Sequence, residues 1–257
     1  MKKTIFITLF LSWFCFMAKS QTNTKSSSPD LYQPTILVEL FSSEGCSSCP
    51  IADKFMKEII DISDSSKTPI FVIDYHVSIW NRSGWVDPFS DSMYSLRQQN
   101  YLFKKKLTAM YTPMVFINGS DKDIAGTDKK SVGKKLQESL QEPSEHYIRS
   151  SASGVENEDS ILVGYRVWGK IDSMDLNIVL VQKEINNMVT GGENANQILH
   201  HHNIAKQFIT IPLKQNQGVV KMHINKYINP ENFRLISFVQ HQRTWRVYCV
   251  DQLSFNK

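Results

Sequence analysis

Ile36-Leu-Val-Glu-Leu-Phe-Ser-Ser-Glu-Gly-Cys46-Ser-Ser-Cys49-Pro50-Ile-Ala-Asp-Lys-Phe-Met56 decides how this chain is read. Ile36–Phe41 is an apolar run broken only by Glu39, as expected of a buried strand. From Pro50 the pattern changes: Ile51, Phe55, Ile59 and Ile62 recur at helical spacing, and the expected helix runs over 50–62. Two thiols three positions apart sit where strand gives way to helix. Such a pair can close a disulfide, and the free N–H groups and dipole of a helix start favour the thiolate at Cys46. In motifs of this kind a thiol pKa falls from about 8.5 to roughly 3.5–7.5. Cys49, one turn on, is the natural resolving thiol. Ser47 and Ser48 add hydroxyl donors but no charge, so they leave the redox poise open.

Outward from this stretch, Ile70–His76 reads as a continuous buried strand of the parallel type. Residues 91–107 read as a polar helix, 114–119 and 123–126 as a hairpin turning at Asn118-Gly119, and 131–140 as a closing helix. The order βαβ–α–ββ–α is the thioredoxin layout, so an α/β domain over 35–143 is expected. Beyond Glu142-Pro143 the chain turns to strands at 160–168, 176–181, 208–213, 219–223, 233–239 and 245–250. A small antiparallel β-sandwich over 144–257 is the expected second domain.

Lys2 and Lys3, the apolar stretch from Ile5 to Met17 and Ala18-Lys19-Ser20 have the form of a signal peptide over 1–20, followed by a solvated linker over 21–34. The apolar run is short of the ~20 residues a membrane span needs, so no stable membrane insertion is expected after cleavage. A periplasmic or secreted location follows, where a disulfide can persist. Without Lys2, Lys3 and Lys19 the formal charge drops from +4 to +1. That balance excludes a case for nucleic acid as partner.

Further candidates gather around the thiols. Pro113 of Thr112-Pro113 precedes a buried run and is expected to be cis and to face the CxxC, with Thr112 beside it; a trans strand-opening proline is the alternative. Glu39, in a central strand, is a candidate proton shuttle for Cys49, or else the partner of a lysine. The long connection from His76 to Phe89 carries Trp80, Trp85 and Asp87, and reads either as a lid over the thiols or as a surface loop pinned by its aromatics. His76 could bond Cys46, bind a metal or close a strand end.

No metal site or cofactor is assigned. A four-cysteine zinc site lacks its second pair, and neighbours in His200-His201-His202 point to opposite faces of a strand, which suits a solvated or interface role. Cys249, on the face of Trp245 and Val247, reads as a buried inert thiol.

Several of these segments together resemble one family. They are Glu39-Leu-Phe-Ser-Ser-Glu-Gly-Cys-Ser-Ser-Cys-Pro50, His76-Val with Trp80, Gly84-Trp85-Val-Asp-Pro-Phe89 and Tyr111-Thr-Pro-Met. Gly192-Glu-Asn194, Leu199-His and His202-Asn-Ile204 extend the likeness through the second half. The chain is similar to the DUF1223 family of exported bacterial proteins, departing from it at Ser78 and Ile79. The resemblance implies a thioredoxin-like fold and export, and it supplies no reaction.

The expected function is therefore an extracytoplasmic thiol–disulfide oxidoreductase acting on protein thiols or disulfides, with an unidentified redox partner. Cys46 exchanges, Cys49 resolves, Pro113 and Glu39 assist, and Thr112, His76, Trp80 and Trp85 line the substrate. It requires sulfurs that a visiting chain can reach. The rivals are a non-enzymatic module, either binding protein or handling copper through Cys46, Cys49 and His76, and a disulfide that never cycles.

Overall fold

The computed structural model describes residues 31–154, 159–224 and 229–254. The signal-peptide segment, Cys15 and residues 21–30 of the linker lie outside the described residues.

β1 (Ile36–Ser42) is buried along its whole length, with every side chain taken up by one face or the other. Val38 and Leu40 join Ala52, Phe55, Met56 and Ile59 of α1 (Cys49–Ser66), while Leu37 and Phe41 meet Tyr94 and Tyr101 of α2 (Ser92–Lys105). α1 carries Pro50 in its first turn, where the missing N–H costs nothing, and ends at Lys67 in the left-handed region. α2 is capped by the Asp91 carboxylate, which accepts from Met93 N at 2.7 Å. β2 (Ile70–His76) runs parallel to β1, and β3 (Met114–Ile117) runs antiparallel on its other side, followed by the short β4 (Ile124–Ala125) and α3 (Lys129–Ser139).

The remaining strands are β5 (Tyr147–Gly154), β6 (Ser160–Trp168), β7 (Met174–Val189), β8 (Gln197–Pro212), β9 (Gln217–His223), β10 (Phe233–His241) and β11 (Val247–Ser254). They do not form a domain of their own. β8 pairs in parallel with the free edge of β2 at Asp74 and Ile204, and the Asn203 side chain donates to Val72 O at 3.1 Å. One mixed sheet of eight strands results, in the order β11-β10-β7-β8-β2-β1-β3-β4. A three-stranded sheet, β5-β6-β9, packs on it.

This corrects the expected α/β thioredoxin-like domain followed by a small β-sandwich: the molecule is mostly β, and its main sheet runs through both halves. The cause is the 16-residue length of β7 and of β8, whose polar ends carry no strand-like alternation. α2 covers one face of the sheet in both halves, while α1, α3 and the three-stranded sheet share the other.

Two irregularities steer side chains. Between Leu180 and Val181 the register of β7 with β8 shifts, leaving Lys206 as the extra residue of a bulge, and Asn203 lies in the left-handed region. In β10–β11 a shift leaves Tyr248 unpaired, so Val247 faces the α2 side and Cys249 the other. The expected shared face of Cys249 and Val247 is thereby corrected. Cys249 is a free buried thiol, and burial holds it well above the ordinary thiol range.

Candidate functional site

Cys46 and Cys49 lie at disulfide distance, with Cα atoms 5.5 Å apart. Cys49 is the first residue of α1. Cys46 precedes it in a tight turn closed by Cys46 N to Ser43 O (3.1 Å) and Cys49 N to Cys46 O (3.1 Å). Ser48 Oγ is 3.5 Å from Cys46 Sγ. The Thr112–Pro113 peptide is cis. Pro113 flanks the first turn of α1 across Gly126, where a Cβ would meet Pro113 Cβ at 2.9 Å and Ala52 Cβ at 3.0 Å.

The sulfurs are not open. Cys46 is 2% and Cys49 1% exposed, which corrects the expectation of a pair within a visitor's reach. Two segments cover the turn. From the β2–α2 connection, Trp80 packs on Gly45, where an added Cβ would lie 2.8 Å from Trp80 Cβ, and its indole N–H donates to Thr112 Oγ1 at 2.7 Å. Trp85 donates to Glu44 Oε2 at 2.8 Å.

From the second half comes the β7–β8 turn. Asn194 Nδ2 donates to the carbonyls of Glu44 (2.8 Å) and Cys46 (3.0 Å), Glu193 Oε2 accepts from Ser47 N (2.8 Å), and Asn187 donates to the Glu44 carboxylate. The two covers touch: a Cβ on Gly191 would lie 2.3 Å from Gly84 O.

Beneath the turn is a polar cluster that the sequence did not bring together. Asp74 and His76 alternate with Ile73 and Tyr75, so both face α1. His76 Nδ1 lies 2.7 Å from Asp87 Oδ2, and its Nε2 lies 3.3 Å from Asp74 Oδ2 without forming a hydrogen bond. Asp74 Oδ1 accepts from Ser42 Oγ at 2.6 Å. Of the three neighbouring histidines only His201 points in: its Nδ1 is 3.2 Å from Asp53 Oδ2 and its Nε2 3.0 Å from Glu44 Oε1. The rings of His76 and His201 meet edge to face at 4.8 Å.

Burial pushes the Asp53 carboxyl up to about 6, with nearby Asp74 acting in the same sense. Burial opposes charge on His76, but the Asp74 and Asp87 carboxylates outweigh it and hold that imidazole well above its ordinary value. His201 is raised likewise, its bonds to Asp53 and Glu44 prevailing over desolvation. Asp87 is lowered: burial would raise it, and His76 with two backbone N–H donors overcomes that.

Glu39 lies elsewhere. Its carboxylate faces α2, on the opposite side of the sheet from α1, and is taken by Arg97 Nε at 2.6 Å and by the Tyr101 hydroxyl. The structure gives it no route to Cys49. His76 Nδ1 is taken by Asp87, and its Nε2 faces Asp74. Glu44, Asp53, Asp74, Asn187, Glu193, Asn194 and His201 were missed. Asp53 could have been found, four places after Cys49 on the apolar face of α1.

The profile of the family described as "Protein of unknown function (DUF1223)" matches residues 37–240. The chain belongs to the DUF1223 family. The matched span holds both covers, so this DUF1223 protein carries its CxxC turn and the segments over it as one unit. Among solved structures, protein AGR_C_4864 from Agrobacterium tumefaciens is similar over 90% of this chain and 97% of its own, at 19% identity and a TM-score of 0.68; at that identity it speaks for the fold alone. A domain of the outer membrane lipoprotein Omp28 from Porphyromonas gingivalis aligns over 43% of this chain and 95% of its own, at 15% identity and a TM-score of only 0.28. No curated protein matches the chain by sequence.

Proposed function

We propose that this DUF1223 protein is an extracytoplasmic thiol–disulfide oxidoreductase whose disulfide works behind a movable cover. The observation that carries the reading is the Cys46–Cys49 pair at a strand-to-helix turn, with Cys49 opening α1. The signal-like segment at 1–20 supplies the export. The cover is fastened to the turn by polar bonds from Glu193, Asn194 and Trp85, and to Thr112 by one from Trp80, all of which water can replace as they part.

With the cover displaced, a partner thiolate attacks Cys46 Sγ. The Cys46–Cys49 bond breaks, Cys49 leaves as thiolate, and a mixed disulfide joins the partner to Cys46. A second partner thiolate then attacks its own sulfur in that bond and releases Cys46. The partner dithiol loses two electrons and this disulfide gains them; the reverse sequence reduces a partner disulfide. A further redox partner restores the starting state.

The test is the oxidation rate of a dithiol peptide by the disulfide form. Wild type should exceed free glutathione disulfide, Cys46→Ser should be inactive, and Asn194→Ala, which loosens the cover, should be faster. If neither wild type nor Asn194→Ala outpaces glutathione disulfide, the reading is wrong.

A further inference from the structure

The geometry points to a binding site for a divalent transition-metal ion, zinc in the first instance, formed by Asp74, His76 and His201 at the seam between β2 and β8. The donor atoms of these three side chains all lie within 4.8 Å of one another, and the residues are between 0% and 2% exposed. Donors about 2.1 Å from a tetrahedral zinc ion stand about 3.4 Å apart, so the widest pair closes by up to about 1.4 Å as the ion binds.

His76 supplies the independent observation. Asp87 Oδ2 also accepts from Glu44 N at 2.8 Å, and its Oδ1 from Phe89 N at 2.9 Å, which marks it as a carboxylate. His76 Nδ1 is then the donor to Asp87, and in the neutral ring that a bound ion requires Nε2 offers its lone pair. That nitrogen is fully buried, has no hydrogen-bond partner and faces the Asp74 carboxylate at 3.3 Å. A proton on Nε2 answers Asp74 while the site is empty, and a bound cation takes that proton's place. Carboxylate to Nδ1–H, with Nε2 turned to the ion, is the usual support for a metal-binding histidine.

His201 has the same support twice over: whichever nitrogen turns to the ion, the other keeps Asp53 or Glu44. Asp53 Oδ1 is a second buried atom without a partner. Glu44, Asp53, Asp74 and Asp87 also outnumber the two imidazoles, while Lys206 lies exposed beyond the Phe89 ring. Two imidazoles and a carboxylate suit zinc and its neighbours rather than a soft monovalent ion.

The seam gives the ion something to do. β8 meets β2 through a single register pair, Asp74 with Ile204. An ion bound by Asp74 and His76 on one strand and His201 on the other ties the two halves of the sheet at that point. This inference stands apart from the proposed exchange activity, because the sulfurs take no part in it.

The experiment uses chelator-stripped protein with its disulfide intact, titrated with zinc against a chromophoric chelator and melted with and without zinc. One equivalent should bind and the melting temperature should rise. Binding should persist in a Cys46→Ser, Cys49→Ser double variant and fall by about 100-fold in His201→Gln. Asp87→Asn should cost roughly 10–100-fold through His76. Should these variants unfold, cobalt-loaded wild type is decisive: visible d–d bands without a thiolate charge-transfer band support the site. Absence of stoichiometric zinc binding, an unshifted melting temperature, binding that follows the cysteines, or full affinity in folded His201→Gln would each overturn it.

Discussion

Two buried polar clusters lie on opposite faces of the same two strands, and they are built to different ends. On the α2 face, Glu39, Arg97, Gln240 and Tyr101 form a closed ring of bonds: Arg97 Nε to Glu39, Arg97 Nη2 to Gln240 at 3.3 Å, Gln240 Nε2 to the Tyr101 hydroxyl at 3.2 Å, and that hydroxyl back to Glu39. Five aromatic rings surround the guanidinium, with centroids 5.1–5.7 Å away. One anion meets one cation. On the α1 face, four carboxylates meet two imidazoles, and Asp53 Oδ1 and His76 Nε2 are left without hydrogen-bond partners. The first cluster is complete as it stands, whereas the second has donor atoms to spare. Buried charge alone therefore does not mark a working site; unspent valence does.

Arg97 anchors the closed ring. Arg97→Met leaves Glu39 buried and unpaired, and should cost about 3–5 kcal/mol in urea unfolding while leaving zinc binding intact. A cost near that of an exposed pair would mean that the ring is not the closed structural unit described.

Gly191→Ala acts on the other side. Its Cβ would collide with Gly84 O, prising the β7–β8 turn from the Trp85 loop. A loss of about 1–3 kcal/mol is expected, with faster alkylation of Cys46 in the reduced protein. Unchanged alkylation would show that the two covers move independently. Lys57→Ala, which removes an exposed pair with Asp61, sets the floor: a change of about 0.3–0.5 kcal/mol, with neither cluster disturbed.

Strands and helices of the first half were legible because their periodicity is strong: β2 occupies 70–76 as read, and α1 and α2 fall within a few residues of expectation. β6 likewise matches at 160–168. The misreadings came from polar strands. Gln182-Lys-Glu-Ile-Asn-Asn-Met and Leu199-His-His-His-Asn lack the alternation that marks a half-buried strand, because they form a ribbon whose partner surface is a polar turn rather than an apolar core. Without them the two halves looked separable, and β5 was missed altogether.

At the site, the cysteines and the cis proline could be read from local context. The inward turn of His201 could not, since a run of three histidines does not disclose which one a strand will bury. Glu39 was misassigned for a related reason. Its position in a central strand was evident, but its face was not, and one residue of register decides between the thiols and Arg97.

The seam at β2 also sets a timetable. Asp74 finds its strand neighbour Ile204 about 130 positions later, a delay on the order of ten seconds at ordinary rates of polypeptide synthesis. Until then the edge of β2 is bare, and the turn bearing the two cysteines lacks half its roof. A chain folding in sequence order thus passes through a stage in which those sulfurs are uncovered before the finished molecule encloses them. The bond between them is best placed to form then, ahead of final closure.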